Sequence, residues 1–274
     1  MVSVVYMVAG MSSRFGGKIK QFSRVGLNGE TLMEVSMGQA IKAGFDKIIF
    51  IVGNMTEIPF KEMFGNNYKG TPIFYAKQTF NSEERDKPWG TCDAVISAKN
   101  LIKEDFVVCN GDDIYGEGAF LDCINFSKKE NSECAAIGYL LGNVVPDNGS
   151  VNRGIFSKDS EGYLTGIKET LNIEKSKFAE MGLTKDNLTS QNIFFLRKEA
   201  VQMLEEKFTK FKESHKGDRK SECYLPTELS NLIDEKKIKI KLLMTDEPWF
   251  GVTNPQDEEI VKAQLKEYYS NKKN

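Results

Sequence analysis

Two short stretches concentrate residue types that do chemistry. The first runs from Ala9 to Gln21. It holds Gly10, Ser12, Ser13, Gly16 and Gly17 among the cations Arg14, Lys18 and Lys20, with Arg24 just beyond and no acidic residue before Glu30. Small residues let backbone N–H groups approach an anion closely, and cations neutralise it. That composition suits a polyphosphate; the plain alternative is a solvated loop with incidental lysines. Neither G-x-x-x-x-G-K-[ST] nor G-x-G-x-x-G occurs in it. The second stretch is Asn110-Gly111-Asp112-Asp113, directly after the apolar run Phe106–Cys109. Paired carboxylates at the end of a strand offer hard oxygens to a divalent cation. The alternative there is a polar turn.

The whole chain narrows the chemistry further. Its 274 residues carry 37 basic and 39 acidic side chains, a net charge of −2. Nucleic-acid binding needs a basic excess, so a polyanion partner is not expected. The single histidine, His215, lies in the polar stretch 212–220 and reads as non-catalytic, which leaves no basis for a histidine-rich zinc site. The five cysteines (Cys92, Cys109, Cys123, Cys134 and Cys223) form no C-x-x-C. They read as reduced, mostly buried thiols, and with no secretory pattern in the sequence a cytoplasmic setting is expected. No apolar run reaches the roughly 18 residues of a membrane span.

These stretches need a scaffold, and the hydrophobic pattern supplies one. Strand-length apolar runs at 2–8, 47–52, 72–76 and 105–109 alternate with helical patterns at 31–44, 58–64 and 90–101. Strand–helix alternation with near-continuous apolar strands predicts an α/β fold, a Rossmann-like and mainly parallel sheet flanked by helices. The first loop then leaves the carboxyl end of the first strand, where ligands of such sheets gather. Beyond residue 116 the pattern loosens. A helix is expected over 117–131 and a strand over 134–141. A loop follows over 146–153, then short strands at 154–157, 163–167 and 192–196. Helices at 198–211 and 225–236, a strand at 238–244 and an amphipathic helix from 254 complete the chain. One domain over 1–274 is expected, as a first half, 1–116, and a second half, 117–274, that adds substrate-binding elements and ends in the C-terminal helix.

Gly10, Ser13, Arg14, Phe15, Lys20 and Gln21 resemble the signature loop of sugar-1-phosphate nucleotidyltransferases, the nucleotide-sugar pyrophosphorylases, with Ser12 where glycine is common. The resemblance continues in order along the chain. Residues 87–94 look like a G-[TL]-A-x-A segment, 107–116 like a strand-terminal G-D metal motif, and 150–154 like a sugar-contacting segment. Residues 167–170 look like E-K-P, and 221–228 like G-E-x-x-L-T-D. It implies a nucleotidyltransferase (GT-A-like) architecture and a Mg²⁺-dependent transfer from an NTP to a sugar-1-phosphate or similar phosphomonoester, with loss of pyrophosphate. Arg14 and Lys20 are then the catalytic cations. Ala9, Gly10, Met11, Ser12, Ser13, Gln78, Gly90, Thr91 and Asp112 fall to the nucleotide; Asp113, Gly154, Glu169, Asn192 and Glu222 fall to the acceptor; Asp112 falls to the metal. Several keep a plain alternative. Gln78 reads equally as a surface glutamine and Glu222 as an exposed carboxylate, while Gly90 suits a helix start with no ligand.

Two departures stand out. Thr170 occupies the usual lysine position, and Lys168 is the nearby substitute. Gly251, in Trp249-Phe250-Gly251, stands where a second metal carboxylate is expected. Asp246, Thr253 or Asn254 are the replacements to consider, or Asp112 with phosphates and water alone. The partners implied are an NTP and a phosphorylated small molecule, without nucleic acid or membrane, and a homo-oligomer is compatible. The alternatives are a glycosyltransferase using a finished nucleotide sugar, and a nucleotide-sensing protein without catalysis.

Overall fold

The computed structural model describes residues 1–10, 16–252 and 257–272. The first part is built from β1 (Ser3–Met7), α1 (Leu32–Ala43), β2 (Lys47–Val52), α2 (Glu57–Phe64), β3 (Asn67–Tyr68), β4 (Thr71–Lys77), α3 (Thr91–Ser97), β5 (Phe106–Asn110) and β6 (Asp113–Ile114). The rest contributes α4 (Glu117–Ser127), β7 (Cys134–Leu140), α5 (Leu141–Val144), β8 (Val151–Lys158), β9 (Leu164–Ile173) and β10 (Leu188–Leu196). It continues with α6 (Ala200–Ser214), α7 (Leu225–Asp234), β11 (Ile240–Met244), β12 (Phe250–Gly251) and α8 (Asp257–Asn271).

The main sheet runs β11-β7-β10-β5-β1-β2-β4-β3, with β8 pairing β10 and β9 pairing β8. β1 lies parallel to both β2 and β5, β2 is parallel to β4, and β11 is parallel to β7. This is the mostly parallel α/β sheet that the alternating pattern predicts. β10 enters antiparallel between β5 and β7. Both faces are covered, which explains why the strands read as continuous apolar runs. Val4 and Tyr6 of β1 point into one core with Met33, Met37 and Phe120, while Val5 joins the other with Val95, Leu204 and Leu229.

Local chemistry fixes the ends of α1. Thr31 Oγ1 accepts from the Glu34 N–H at 3.1 Å, and Glu34 Oε2 accepts from the Thr31 N–H at 2.7 Å. This reciprocal cap satisfies two orphan donors. Gly44 stops the helix at φ 109°, a left-handed value that glycine adopts without a Cβ penalty. At the other end of the chain, Val261 and Leu265 of α8 bury against Val25, Ile114 and Phe250. Glu247 holds the end of that helix, accepting from Tyr268 Oη at 2.5 Å and Lys272 Nζ at 2.9 Å.

The sequence reading erred most between residues 146 and 173. The two expected short strands are longer than read, starting at Val151 in the expected loop and reaching Ile173, and they pair as one long antiparallel hairpin of β8 and β9. Its strands are largely polar and part-exposed, so they lack the apolar alternation that marks a half-buried strand. β3, β6 and β12 were also missed. Two-residue strands carry no period, and β6 with β12 exists only because the chain returns to it 136 positions later, as Phe250 pairs Ile114. No helix among the described residues is long and apolar enough to cross a membrane. The five cysteines are buried and unbridged.

Candidate functional site

The parallel register of β1 with β5 sets Met7 beside Asn110, so the loops leaving both strands open at the same sheet edge. Two cavities meet there. One, about 360 Å³, lies between Ala9 and Gly10 after β1, Gln78 after β4, Gly90 and Thr91 at the start of α3, and Glu222. The other, about 560 Å³, is bounded by the β8–β9 hairpin, by Ser190, Gln191 and Asn192 of β10, and by Trp249. Asn110 and Asp112 line both.

Asp112 accepts a hydrogen bond from Lys20 Nζ at 2.8 Å, joining the two stretches singled out in the sequence across 92 positions. The Lys20 side chain is 13 % exposed and that of Asp112 is 35 %, so the carboxylate keeps a solvent-facing side while its partner is largely enclosed. Arg14, Met11, Ser12 and Ser13 lie outside the described residues.

Asp113 turns inward. Its Oδ2 accepts from Asn110 Nδ2 at 3.0 Å and from Tyr115 Oη at 3.3 Å. Burial first, and the adjacent Asp112 carboxylate second, push its carboxyl up to about 7. Asp112 sits in the turn before β6 and stays part-exposed, whereas Asp113, the first residue of β6, is buried.

Gly251 pairs Asp113 across the β6–β12 ladder. A Cβ built there would meet the Trp249 ring at 2.6 Å and Asp113 Oδ1 at 3.2 Å. The indole therefore fills the space that a carboxylate at this position would need. Asp246 is exposed and lines neither cavity, and Thr253 and Asn254 lie outside the described residues. Among the described residues no cluster of three His, Cys, Asp or Glu side chains is placed to hold a metal.

Around the smaller cavity, Gln78 is buried rather than a surface residue. Both N–H groups of its amide are engaged, donating to Gly90 O at 3.0 Å and to Asp93 Oδ2 at 2.8 Å. Only its carbonyl oxygen remains for a ligand. Gly90 has φ 100°, and a Cβ there would lie 2.6 Å from Cys223 O. Glycine is required at that position by the close backbone approach of the 218–223 segment. The Thr91 hydroxyl accepts from the Leu225 N–H at 2.8 Å, capping α7. Glu222, assigned from sequence to the acceptor, lies on the smaller cavity with Gln78 and Gly90, held by Lys87 Nζ at 2.6 Å and Tyr224 Oη at 2.9 Å.

Around the larger cavity, Gly154 pairs Glu169 across the hairpin. Asn192 adopts φ 58°, in the irregular stretch where the pairing of β10 with β7 shifts register. Such an irregularity re-aims a side chain, here at the cavity wall. Neither Lys168 nor Thr170 lines the cavity; the cation that does, among the described residues, is Arg153. Sequence reasoning missed Arg153 and Gln191 as individual residues. Arg153 lay inside the marked 150–154 segment, and Gln191 had no signal beyond its place next to Asn192. Trp89 is a packing residue, with the Arg85 guanidinium 3.4 Å over its ring. His215 stacks on Phe211 at 4.0 Å and lines neither cavity.

The sequence model of the nucleotidyl transferase family matches residues 19–257. Among solved structures, HddC from Yersinia pseudotuberculosis, complexed with GMP-PN, is 16 % identical and superposes with a TM-score of 0.61 over 97 % of this chain and all of that one. A UDP-glucose pyrophosphorylase from Acinetobacter baumanii is 16 % identical, with a TM-score of 0.64 over 96 % of this chain and 93 % of that one. At this identity both show a shared fold. No curated protein sequence matches significantly.

Proposed function

Since the chain belongs to the nucleotidyl transferase family, we propose that it joins an NTP to a phosphomonoester of the sugar-1-phosphate type and releases pyrophosphate. The observation that carries this reading is the pair of cavities sharing Asn110 and Asp112 as a wall, with Lys20 on that wall. A donor nucleotide in the smaller cavity and an acceptor in the larger one would meet at Asp112. An acceptor phosphate oxygen then attacks the α-phosphorus, and the bond to the β-phosphate oxygen breaks in line, its electron pair leaving with pyrophosphate. Such a displacement asks the protein mainly to position groups and neutralise charge.

Lys20 neutralises the departing pyrophosphate in this reading, together with Arg14, and Asp112 releases Lys20 as the phosphates arrive. Ala9, Gly10, Gly90 and Thr91 bound the base and ribose, and the Gln78 carbonyl oxygen accepts from the base edge. Gly154, Glu169 and Asn192 serve acceptor hydroxyls. Residues 1–116 form the nucleotide half and 117–274 the acceptor half. A single outward carboxylate oxygen with phosphates and water fits Mg²⁺, which keeps several waters by preference. When bound, Mg²⁺ would supply charge neutralisation across the phosphates. The buried thiols support a cytoplasmic setting.

The test is incubation with each NTP, Mg²⁺ and a panel of phosphorylated acceptors, following pyrophosphate. Release that depends on one NTP and one acceptor supports the reading. Nucleotide binding without turnover across the panel would instead favour a sensing protein, the reading that the filled space at Gly251 motivates.

A further inference from the structure

Four buried side-chain atoms among the described residues have no hydrogen-bond partner: Gln39 Oε1, Arg153 Nε, Gln191 Nε2 and Trp249 Nε1. The last three belong to residues lining the larger cavity. All three are donors. Buried donors in folded proteins are paired as a rule, so three around one cavity are groups that a ligand supplying acceptors would satisfy.

The three are held in place by their other contacts. Gln191 is 4 % exposed, and its carbonyl accepts from Tyr115 Oη at 2.9 Å, which fixes the backbone beneath the side chain. Arg153 lies with its guanidinium 5.1 Å from the centre of the Trp249 ring. Its terminal nitrogens donate to Asn152 O at 3.0 Å and Val144 O at 3.1 Å, leaving Nε for a ligand. Trp249 reaches this position because residue 251 has no side chain: a Cβ would stand 2.6 Å from the ring. The chain thus lacks a carboxylate at 251 and has an indole and a guanidinium beside that position instead.

We infer that Arg153, Gln191 and Trp249 form the seat for the anionic oxygens of the acceptor, making Arg153 the residue that selects a phosphorylated acceptor over a neutral one. This deepens the reading given above and rests on it for the word acceptor. The chemistry of the seat stands on the donor set itself. A guanidinium and neutral N–H donors on residues around one cavity match an oxyanion, which only accepts. Glu169 and Asp112, on the same cavity, remain for hydroxyl groups and for Mg²⁺.

The experiment follows the two indole N–H signals in ¹⁵N-labelled protein, assigned with Trp249→Phe. Inorganic phosphate, glucose 1-phosphate and glucose are titrated separately, without nucleotide. Phosphate and glucose 1-phosphate are expected to move the Trp249 signal, and glucose is not. Arg153→Gln should weaken phosphate binding about 10- to 100-fold, the loss of one charge-assisted contact, and Arg153→Lys should recover part of it. An unmoved Trp89 signal in both variants reports an intact fold. Equal movement by glucose, no movement by any probe, or unchanged phosphate affinity in Arg153→Gln would overturn the inference.

Turnover separates this claim from the reading beneath it. With whichever NTP and acceptor release pyrophosphate, Arg153→Gln should raise the acceptor KM and leave the NTP KM alone. An unchanged acceptor KM sinks the seat while nucleotidyl transfer stands. Phosphate binding at Trp249 without any pyrophosphate release leaves the seat and sinks the transfer.

Discussion

Replacing Asp112 with asparagine separates chemistry from fold at the centre of the site. The change is nearly isosteric and removes one charge. In the free protein that charge meets Lys20 Nζ at 2.8 Å, but the Asp112 side chain is 35 % exposed. A partly solvated pair of this kind contributes about 0–1 kcal/mol after screening. The loss is also offset, because the Asp112 carboxylate repels the buried Asp113. Unfolding in urea should therefore shift by no more than about 1 kcal/mol. Turnover should behave differently. If Asp112 holds charge at the point where the two substrates meet, Asp112→Asn should lower kcat by about 10²–10³-fold, or roughly 3–4 kcal/mol of lost transition-state stabilisation. Pyrophosphate release under saturating NTP measures it, with urea unfolding on the same preparation. Near-normal turnover would refute the role of Asp112, and an activity loss matched by an equal stability loss would reduce it to a structural one.

Other perturbations test the supports of the site. Arg85 is 3 % exposed and donates to Lys87 O at 3.1 Å, Asp218 O at 2.7 Å and Ser221 O at 2.5 Å while covering Trp89; Arg85→Ala should cost about 2–4 kcal/mol in urea unfolding and raise the NTP KM, as it frees the segment carrying Glu222. Gly90→Ala places a Cβ 2.6 Å from Cys223 O at φ 100°, and the thermal midpoint should fall by the equivalent of about 2–4 kcal/mol. Burial raises the Asp93 carboxyl above its ordinary value, opposed by the Gln78 amide. The folded state then holds that proton more tightly than the unfolded chain, so its contribution to stability falls as pH rises from the unfolded pKa through the folded one. Asp93→Asn should flatten that slope in urea midpoints taken from about pH 4 upward, and an unchanged slope would exclude Asp93 as its source.

How much of this was legible before folding depends on how far each feature reaches along the chain. β1, β2 and β5 are apolar runs whose burial on both faces leaves no polar alternation to confuse them, and α1 carries its own cap in Thr31 and Glu34. Such features are local, so composition and period suffice. The basic loop and the Asp112 turn were legible for the same reason, since each is a contiguous cluster placed at a strand end. Gln78, by contrast, was read as equally suited to a base edge or the surface, and only its burial against Gly90 and Asp93 shows that its donors are spent.

The sequence by itself determined an α/β sheet and the family, because strand periodicity and short motifs are written within a few residues. Tertiary structure alone decided which carboxylate faces outward. It also placed Glu222 on the smaller cavity, lengthened the two strands within 151–173 into a long hairpin, and put Arg153, Gln191 and Trp249 around one cavity. Those outcomes depend on pairings between distant segments, such as Gly251 with Asp113 and Lys20 with Asp112. In the linear chain Gly251 is a departure from a motif; what its missing Cβ does is decided by the indole from two residues earlier, which folds back into that space.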